Sequence, residues 1–258
     1  MPWRSAEIQE VIVETPRARS LVLRVADWPG HLAGQHVDVR LTGEDGYQAQ
    51  RSYSIASPPE QPQLVLTVER IEGGEVSSFL TDEARAGDQL ELRGPIGGYF
   101  TWISSQPGAL QLIAGGSGIV PLMAMLRHRA KAHARAPGSA RAPAGPPTLA
   151  PARLLYSSRS AELILYRDEL ARMAREDDSL EVTHTLTRAA EPGWQSETRR
   201  VDREMLRART FASAAQPRLY LCGPTPFVES VAAGLVELGH APARIKTERF
   251  GPTGARAD

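Results

Sequence analysis

Arg51-Ser52-Tyr53-Ser54-Ile55-Ala56-Ser57 sets a cation, an aromatic ring and small hydroxyls in one alternating run. It follows the polar Gln48-Ala49-Gln50 and is stopped by Pro58-Pro59, so Arg51–Ala56 reads as a strand whose successive side chains point to opposite faces. Arg51, Tyr53 and Ile55 then share one face, and Ser52, Ser54 and Ala56 the other. A guanidinium fork suits a phosphate, a tyrosine ring can lie against an apolar heterocycle, and a serine hydroxyl can exchange hydrogen bonds with ring nitrogens. These are the contacts a flavin nucleotide needs. The same alternation also serves an ordinary half-buried strand, so the decision rests on the rest of the chain.

Outward from this stretch, residues 1–103 carry short apolar alternations cut by turn signals: 6–14, 20–25, 36–41, 63–70 and 89–93. Regular short strands of this kind predict a small antiparallel β-barrel. Residues 76–84 read as a short helix opened by Gly73-Gly74. From Leu110 the pattern changes to apolar strands followed by helical periodicity, the sign of a parallel sheet with helices on its faces. Strands are predicted at 110–114, 153–157, 180–186, 218–222 and 244–248, and helices at 119–132, 162–175 and 226–238, the last ended by Gly239. The expected fold is therefore all-β plus α/β, with one domain over 1–103, a boundary in Ser104-Ser105-Gln106-Pro107-Gly108, and a second domain over 108–258. Residues 134–151 are dominated by Ala, Pro, Gly and Arg. Such a segment buries too little to offset its ordering entropy and is expected to be a disordered insertion.

Composition narrows the function. A length of 258 residues suggests about two domains at ~150 residues each. Thirty basic and thirty acidic residues cancel, which gives no electrostatic case for nucleic acid or an anionic membrane. No apolar run approaches a membrane span and no leader-like segment opens the chain, so a soluble, cytoplasmic protein is expected. The single cysteine, Cys222, excludes an intrachain disulfide and any iron–sulfur cluster held by four cysteines of these residues. The six histidines show no metal-ligand spacing, so no metal site is expected.

Several pieces carry chemistry. Gly73-Gly74 with Val76-Ser77 places unencumbered amides where a helix begins, a favourable place for an anion. Gly115-Gly116-Ser117-Gly118 joins a strand directly to a helix, the context in which a Gly-rich turn cradles phosphate, although a plain tight turn needs the same glycines. Cys222 ends an apolar strand ahead of Gly223-Pro224, at the carboxyl edge where parallel sheets bind ligands; a lone cysteine is also commonly a small buried hydrophobe. Ser157-Ser158-Arg159 stands where a site for NADH would often place a carboxylate, and none occurs before Glu162. Two guanidiniums, Arg159 and Arg188, with Ser157 suit the 2′-phosphate of NADPH; solvated surface arginines would look the same.

Arg51-x-Tyr53-Ser54-x-x-Ser57, Gly73-Gly74-Glu75-Val76-Ser77, Gly94-Pro95-Ile96-Gly97-Gly98-Tyr99-Phe100, Gly115 to Pro121, Cys222-Gly223-Pro224 and Glu248-Arg249-Phe250 stand in one order along nearly the whole chain. In that order and approximate spacing the chain resembles the ferredoxin–NADP reductase superfamily. The resemblance implies an FAD-binding barrel followed by an NAD(P)-binding domain. It implies that Arg51, Tyr53, Ser54, Gly74, Val76 and Ser77 bind the flavin nucleotide, with FAD favoured over FMN because Arg51 and the glycine turn can hold a diphosphate. It places Gly116, Ser117, Gly118, Gly223 and Pro224 around the nicotinamide dinucleotide, Cys222 beside the carbon that gives up hydride, Glu248 near the transfer site and Phe250 against the flavin ring. Cys222, Ser54, Glu248 and Ser117 are the expected catalytic residues. The long segment at 134–151 departs from the family's shorter connection.

The activity so implied is hydride transfer from NADPH to FAD, with NADH as the other coenzyme open, followed by electron delivery. With one cysteine and only a few residues after Phe250, no fused ferredoxin domain is expected, so the acceptor should be a separate ferredoxin or oxygenase component. A reductase of free flavin or another small molecule, and a non-catalytic flavin- or nucleotide-binding sensor, are the alternatives.

Overall fold

The computed structural model describes residues 1–43, 45–134 and 150–251. Two compact units divide the chain: Met1–Ser104 with Met123–Arg135, and Ser105–Leu122 with Ala136–Asp258. The insertion expected at 134–151 falls almost wholly outside the described residues.

The first unit is built on six antiparallel strands, β1 (Trp3–Thr15), β2 (Ala18–Val25), β3 (His36–Thr42), β4 (Gln48–Ser54), β5 (Leu64–Glu69) and β6 (Gln89–Ile96), in the order β4-β3-β6-β1-β2-β5. Just past β4, Ile55 bridges to Leu66 of β5, and Ala56 N donates to Val65 O at 2.8 Å, so the two ends of the order meet and the sheet closes as a barrel. Alternate residues fill it: Ala6 and Ile8, Leu21 and Leu23, Val37 and Val39, Leu64, Leu66 and Val68, Leu90 and Leu92 are buried in one cluster. Period-two alternation is what puts these side chains on one face.

Two expectations need correction in this unit. The strand expected at 51–56 is Gln48–Ser54; Ile55, Ala56 and Ser57 are buried one after another, which alternation does not allow, so the chain turns inward. Ser57 is 0% exposed and its Oγ accepts from Val65 N at 3.0 Å. The helix expected at 76–84 has only one α-helical turn, α1 (Glu75–Ser78), and widens into a π-helical turn at Phe79–Glu83.

The second unit holds five parallel strands, β7 (Leu110–Gly115), β8 (Ala152–Ser160), β9 (Leu180–Ala189), β10 (Arg218–Pro224) and β11 (Ile245–Phe250), in the order β11-β10-β7-β8-β9. Every residue of β7 is buried, as a central parallel strand covered on both faces requires. The chain leaves β7 toward β8 on one side and returns at β10 on the other, so the crevice beyond the carboxyl ends of β7 and β10 is the topological switch point. The helices are α2 (Ile119–Ala134), α3 (Arg167–Glu176), α4 (Arg203–Arg209) and α5 (Thr225–Glu237). Met205 and Leu206 of α4 and Val228, Val231 and Leu235 of α5 pack on Ile113, Leu155, Leu219, Leu221 and Ile245.

Here too the structure departs from the sequence reading. Ile164, Leu165 and Tyr166 are buried consecutively, which no single helical stripe permits; the helix expected from 162 is a 3-10 turn at Ala161–Leu163, then a left-handed Tyr166 at φ 58°, then α3. Helix α4 was not expected at all. From Met123 onward α2 belongs to the first unit, which a boundary drawn along the chain does not express.

Candidate functional site

In the first unit the β3–β4 register sets Tyr53 opposite Val37, Arg51 opposite Val39 and Ser54 opposite His36. Tyr53 packs its ring against the barrel core, and burial pushes its hydroxyl up to about 12 against the opposing pull of Arg51, so it stays a neutral phenol. Arg51 is exposed, and its Nη1 donates to Gln50 O at 2.6 Å; its charge is available to a ligand. Ser52, on the face opposite Tyr53, donates to Asp38 Oδ1 at 2.6 Å, and Asp38 is paired with Arg93 at 2.7 Å. Burial would raise the Asp38 carboxyl, but the bonds from Ser52 and Arg93 outweigh it and hold it below the usual range. Ser54 thus has His36 as its cross-strand neighbour, an imidazole whose basicity burial lowers and Asp38 partly restores.

The Gly73–Ser77 turn is shaped from within. Gly73 has φ +70°, a conformation other residues adopt at a cost. Ser77 Oγ accepts from Ile71 N at 3.1 Å and donates to Gly74 O at 3.1 Å, while Val76 is buried in the barrel core. The side chains of Val76 and Ser77 are therefore committed to the turn, and what they can offer a ligand is main-chain N–H. The Gly74 N–H is given to Ile71 O at 2.9 Å, so an exposed guanidinium, a half-buried neutral aromatic ring and the opening amides of the Glu75–Ser78 turn are what fit a nucleotide that carries a flat ring and phosphates.

In the second unit, Gly116 has φ +54° and the Gly115–Gly118 loop is pressed against the end of β10. A Cβ on Gly118 would overlap the main-chain carbonyl of Cys222, and a Cβ on Gly115 or Gly223 would lie 2.8 Å from the Phe227 ring. Only glycines allow this approach, and it brings Ser117 next to Cys222-Gly223-Pro224. Cys222 is 2% exposed and sits opposite Glu248 in the β10–β11 register, with Pro224 opposite Phe250. Burial first, and the Glu248 charge second, raise the Cys222 thiol well above its ordinary value, so it is a neutral thiol. Burial likewise pushes the Glu248 carboxyl up to about 7. The pair is matched to orienting and polarising a ligand, not to nucleophilic attack, which requires a thiolate.

At the ends of β8 and β9, Ser157 is buried while Arg159 and Arg188 are exposed. A bulge between Ser158 and Ser160 changes the register there, setting Arg159 beside Thr187 and Arg188. The nearest acidic group along the chain, Glu162, accepts a long 3.5 Å hydrogen bond from Ser160 Oγ. Two groups were missed in the sequence reading. Ser158 Oγ and Thr225 Oγ1 are buried without a hydrogen-bond partner among the described residues, and each lies at the carboxyl edge of the sheet; such groups call for an explanation, which a bound ligand supplies. The signal for Ser158 was its place in Ser157-Ser158-Arg159; for Thr225, its place after Gly223-Pro224. No group of acidic, histidine and cysteine side chains able to hold a metal occurs among the described residues, and no helix among them is long and apolar enough to cross a membrane.

Comparison with known proteins finds two domain families along the chain. The oxidoreductase FAD-binding domain family matches residues 9–101, and the oxidoreductase NAD-binding domain family matches residues 112–233. NADH-cytochrome b5 reductase 1 of Aspergillus terreus is 30% identical over 86% of this chain and 72% of its own length. The glycine betaine monooxygenase reductase subunit of Pseudomonas aeruginosa is 30% identical over 85% of this chain and 56% of its own length. The chain thus spans just over half of one relative and less than three quarters of the other. Among solved structures, the cytochrome P450 reductase of Amycolatopsis superposes with a TM-score of 0.78 at 25% identity, covering 98% of this chain and 71% of that one. With both domain families matched in order and the barrel and parallel sheet in place, the chain belongs to the ferredoxin–NADP reductase superfamily of FAD- and nicotinamide-nucleotide-binding oxidoreductases.

Proposed function

We propose that the chain takes hydride from NADPH onto FAD and passes electrons to a separate protein, a ferredoxin or an oxygenase component. FAD, when bound, supplies the conversion of two-electron to one-electron chemistry. The chain's own residues hold and orient. Arg51 and the amides of Val76 and Ser77, opened by the Gly73-Gly74 turn, meet the diphosphate, Tyr53 covers the ring, and Ser54 hydrogen-bonds to it. Gly116, Ser117, Gly118, Gly223 and Pro224 form the bed for the nicotinamide half of the coenzyme, where the neutral thiol of Cys222 fixes the ring and Glu248 adjusts the local charge. The observation that carries this reading is the approach of the Gly115–Gly118 loop to Cys222, with Glu248 alongside. A sensor that merely bound nucleotide would not need a buried thiol and a titratable carboxylate at that point.

The preference for NADPH rests on Ser157, Arg159 and Arg188, three groups able to meet a 2′-phosphate, with no carboxylate directly after β8. The relative named for NADH favours the other coenzyme, and a single experiment separates them. FAD-loaded protein mixed anaerobically with NADPH should lose its yellow colour faster than with NADH. Arg159→Ala should raise KM for NADPH about tenfold, a loss of ~1.4 kcal/mol, and leave NADH nearly unchanged. Faster reduction of the native protein by NADH would transfer the assignment to NADH, and no bleaching by either would remove the reductase reading.

A further inference from the structure

The chain leaving the Arg51–Ser54 strand is held from three sides within the first unit. Arg127 Nη1 donates to Ala56 O at 2.9 Å. Trp28 Nε1 donates to His31 Nδ1 at 3.3 Å, which leaves the His31 proton on Nε2 to be donated to Ser57 O at 3.0 Å. Glu60 Oε1 lies 2.6 Å from His128 Nδ1.

The other nitrogen of His128, Nε2, accepts from the Ser104 main-chain N–H at 3.1 Å. A ring nitrogen that accepts carries no proton, so the neutral imidazole bears its proton on Nδ1 and donates it to Glu60. Trp102 meets the ring edge-on, with centroids 5.5 Å apart, and holds its plane. The side chains of His128 and Glu60 are only 12% and 13% exposed, and Glu60 Oε2 is buried with no hydrogen-bond partner among the described residues. A carboxylate withdrawn from water with one oxygen unsatisfied does not favour folding. What the pair does supply is direction, because a short, charge-assisted bond fixes the Glu60 side chain against a ring that is itself fixed on two further sides. Between Ser57 and Glu60 stand only Pro58 and Pro59, whose locked φ angles make the link stiff. A displacement at Glu60 is therefore passed back to Ser57, Ala56 and the strand that presents Tyr53 and Ser54.

We propose that the Glu60–His128 pair is a positioning clamp for the flavin-binding strand, with Glu60 and His128 as positioning residues that act through the Ser57–Glu60 turn on Tyr53 and Ser54. This rests on the reading that Arg51–Ser54 holds FAD. The test compares the native chain with His128→Asn, His128→Gln and Glu60→Ala, measuring the dissociation constant for FAD, the visible circular dichroism of the bound flavin and the melting of the apoprotein. An asparagine amide reaches the position of Nδ1 and keeps a donor for Glu60, whereas a glutamine amide reaches Nε2, keeps the contact with Ser104 and gives up Glu60. His128→Asn should stay within about threefold of the native FAD affinity, and His128→Gln should weaken it about tenfold or more and change the flavin dichroism, since small misplacements of a binding group have effects of that size. Glu60→Ala should reproduce the His128→Gln changes, and it decides the matter if His128→Gln does not fold. Lower melting temperatures with unchanged FAD affinity and dichroism would make the pair a structural prop and overturn the proposal, as would equal behaviour of the asparagine and glutamine variants. Failure of the native chain to bind FAD would remove the reading of Arg51–Ser54 and the clamp with it.

Discussion

Cys222 and Glu248 face each other across β10 and β11, and burial acts on both in the same sense, disfavouring the charged form. For Glu248 the folded carboxyl titrates at about 7 instead of its ordinary 4.5. Below that ordinary value the group is protonated in both folded and unfolded chains and makes no pH-dependent contribution. As pH rises to about 7 the unfolded chain ionises while the folded one does not, so stability falls, by on the order of 3 kcal/mol once both are ionised. Glu248→Gln should remove this component: urea denaturation should show the variant gaining on the native protein steadily between pH 4.5 and 7 and holding its advantage above. A constant difference across that range would mean that Glu248 is not held neutral. Cys222, as a neutral positioning thiol, leads to a kinetic expectation. Cys222→Ser should slow flavin reduction about 10- to 100-fold, ~1.4–2.7 kcal/mol, while changing NADPH affinity much less. An affinity loss equal to the rate loss, read by single-turnover kinetics, would assign Cys222 to uniform binding.

Elements are held to the site by approaches that admit no side chain. A methyl on Gly118 would meet the main chain of Cys222 and Gly223, which has no flexible end to yield, so Gly118→Ala should cost about 1–3 kcal/mol or more in urea denaturation and weaken nicotinamide nucleotide binding. Gly98→Ala, at a position with no atom within 4 Å of the added carbon, should be close to neutral. Equal effects from the two would contradict this account of the loop. The glycine turns, the barrel alternation and the apolar runs of the parallel sheet are local patterns, and they were legible as such in the sequence. What was not legible depended on contacts distant along the chain or on competing burial. Ser57 ends a motif by pattern, yet its hydroxyl is taken up by Val65 N. The second half of α2 joins the first unit through Arg127 and His128, whose partners Ala56 and Glu60 lie 71 and 68 residues away. Helix α4 did carry a readable signal, since Asp202 caps it by accepting from Met205 N at 2.8 Å, the ordinary preference for Asp at that position. Its short length and charged sequence gave no apolar periodicity to accompany the cap.

At the scale of the whole molecule, the 258 residues carry thirty basic and thirty acidic side chains and one cysteine. Their own cysteines cannot hold a four-cysteine cluster, so the one-electron step that a flavin makes available needs an acceptor from elsewhere. With no net charge, recognition of a protein acceptor would depend on local charge and shape near the flavin. If that acceptor is a ferredoxin or an oxygenase component, metal analysis of the purified chain should find no stoichiometric iron. NADPH-dependent cytochrome c reduction should then rise sharply when a suitable ferredoxin is added, with the increase saturating in ferredoxin concentration as a docking step requires. The competing outcome is equally concrete: rapid NADPH-dependent reduction of free flavin by the chain alone, with no acceleration from a panel of ferredoxins, would make the protein a flavin reductase whose second substrate diffuses away without docking.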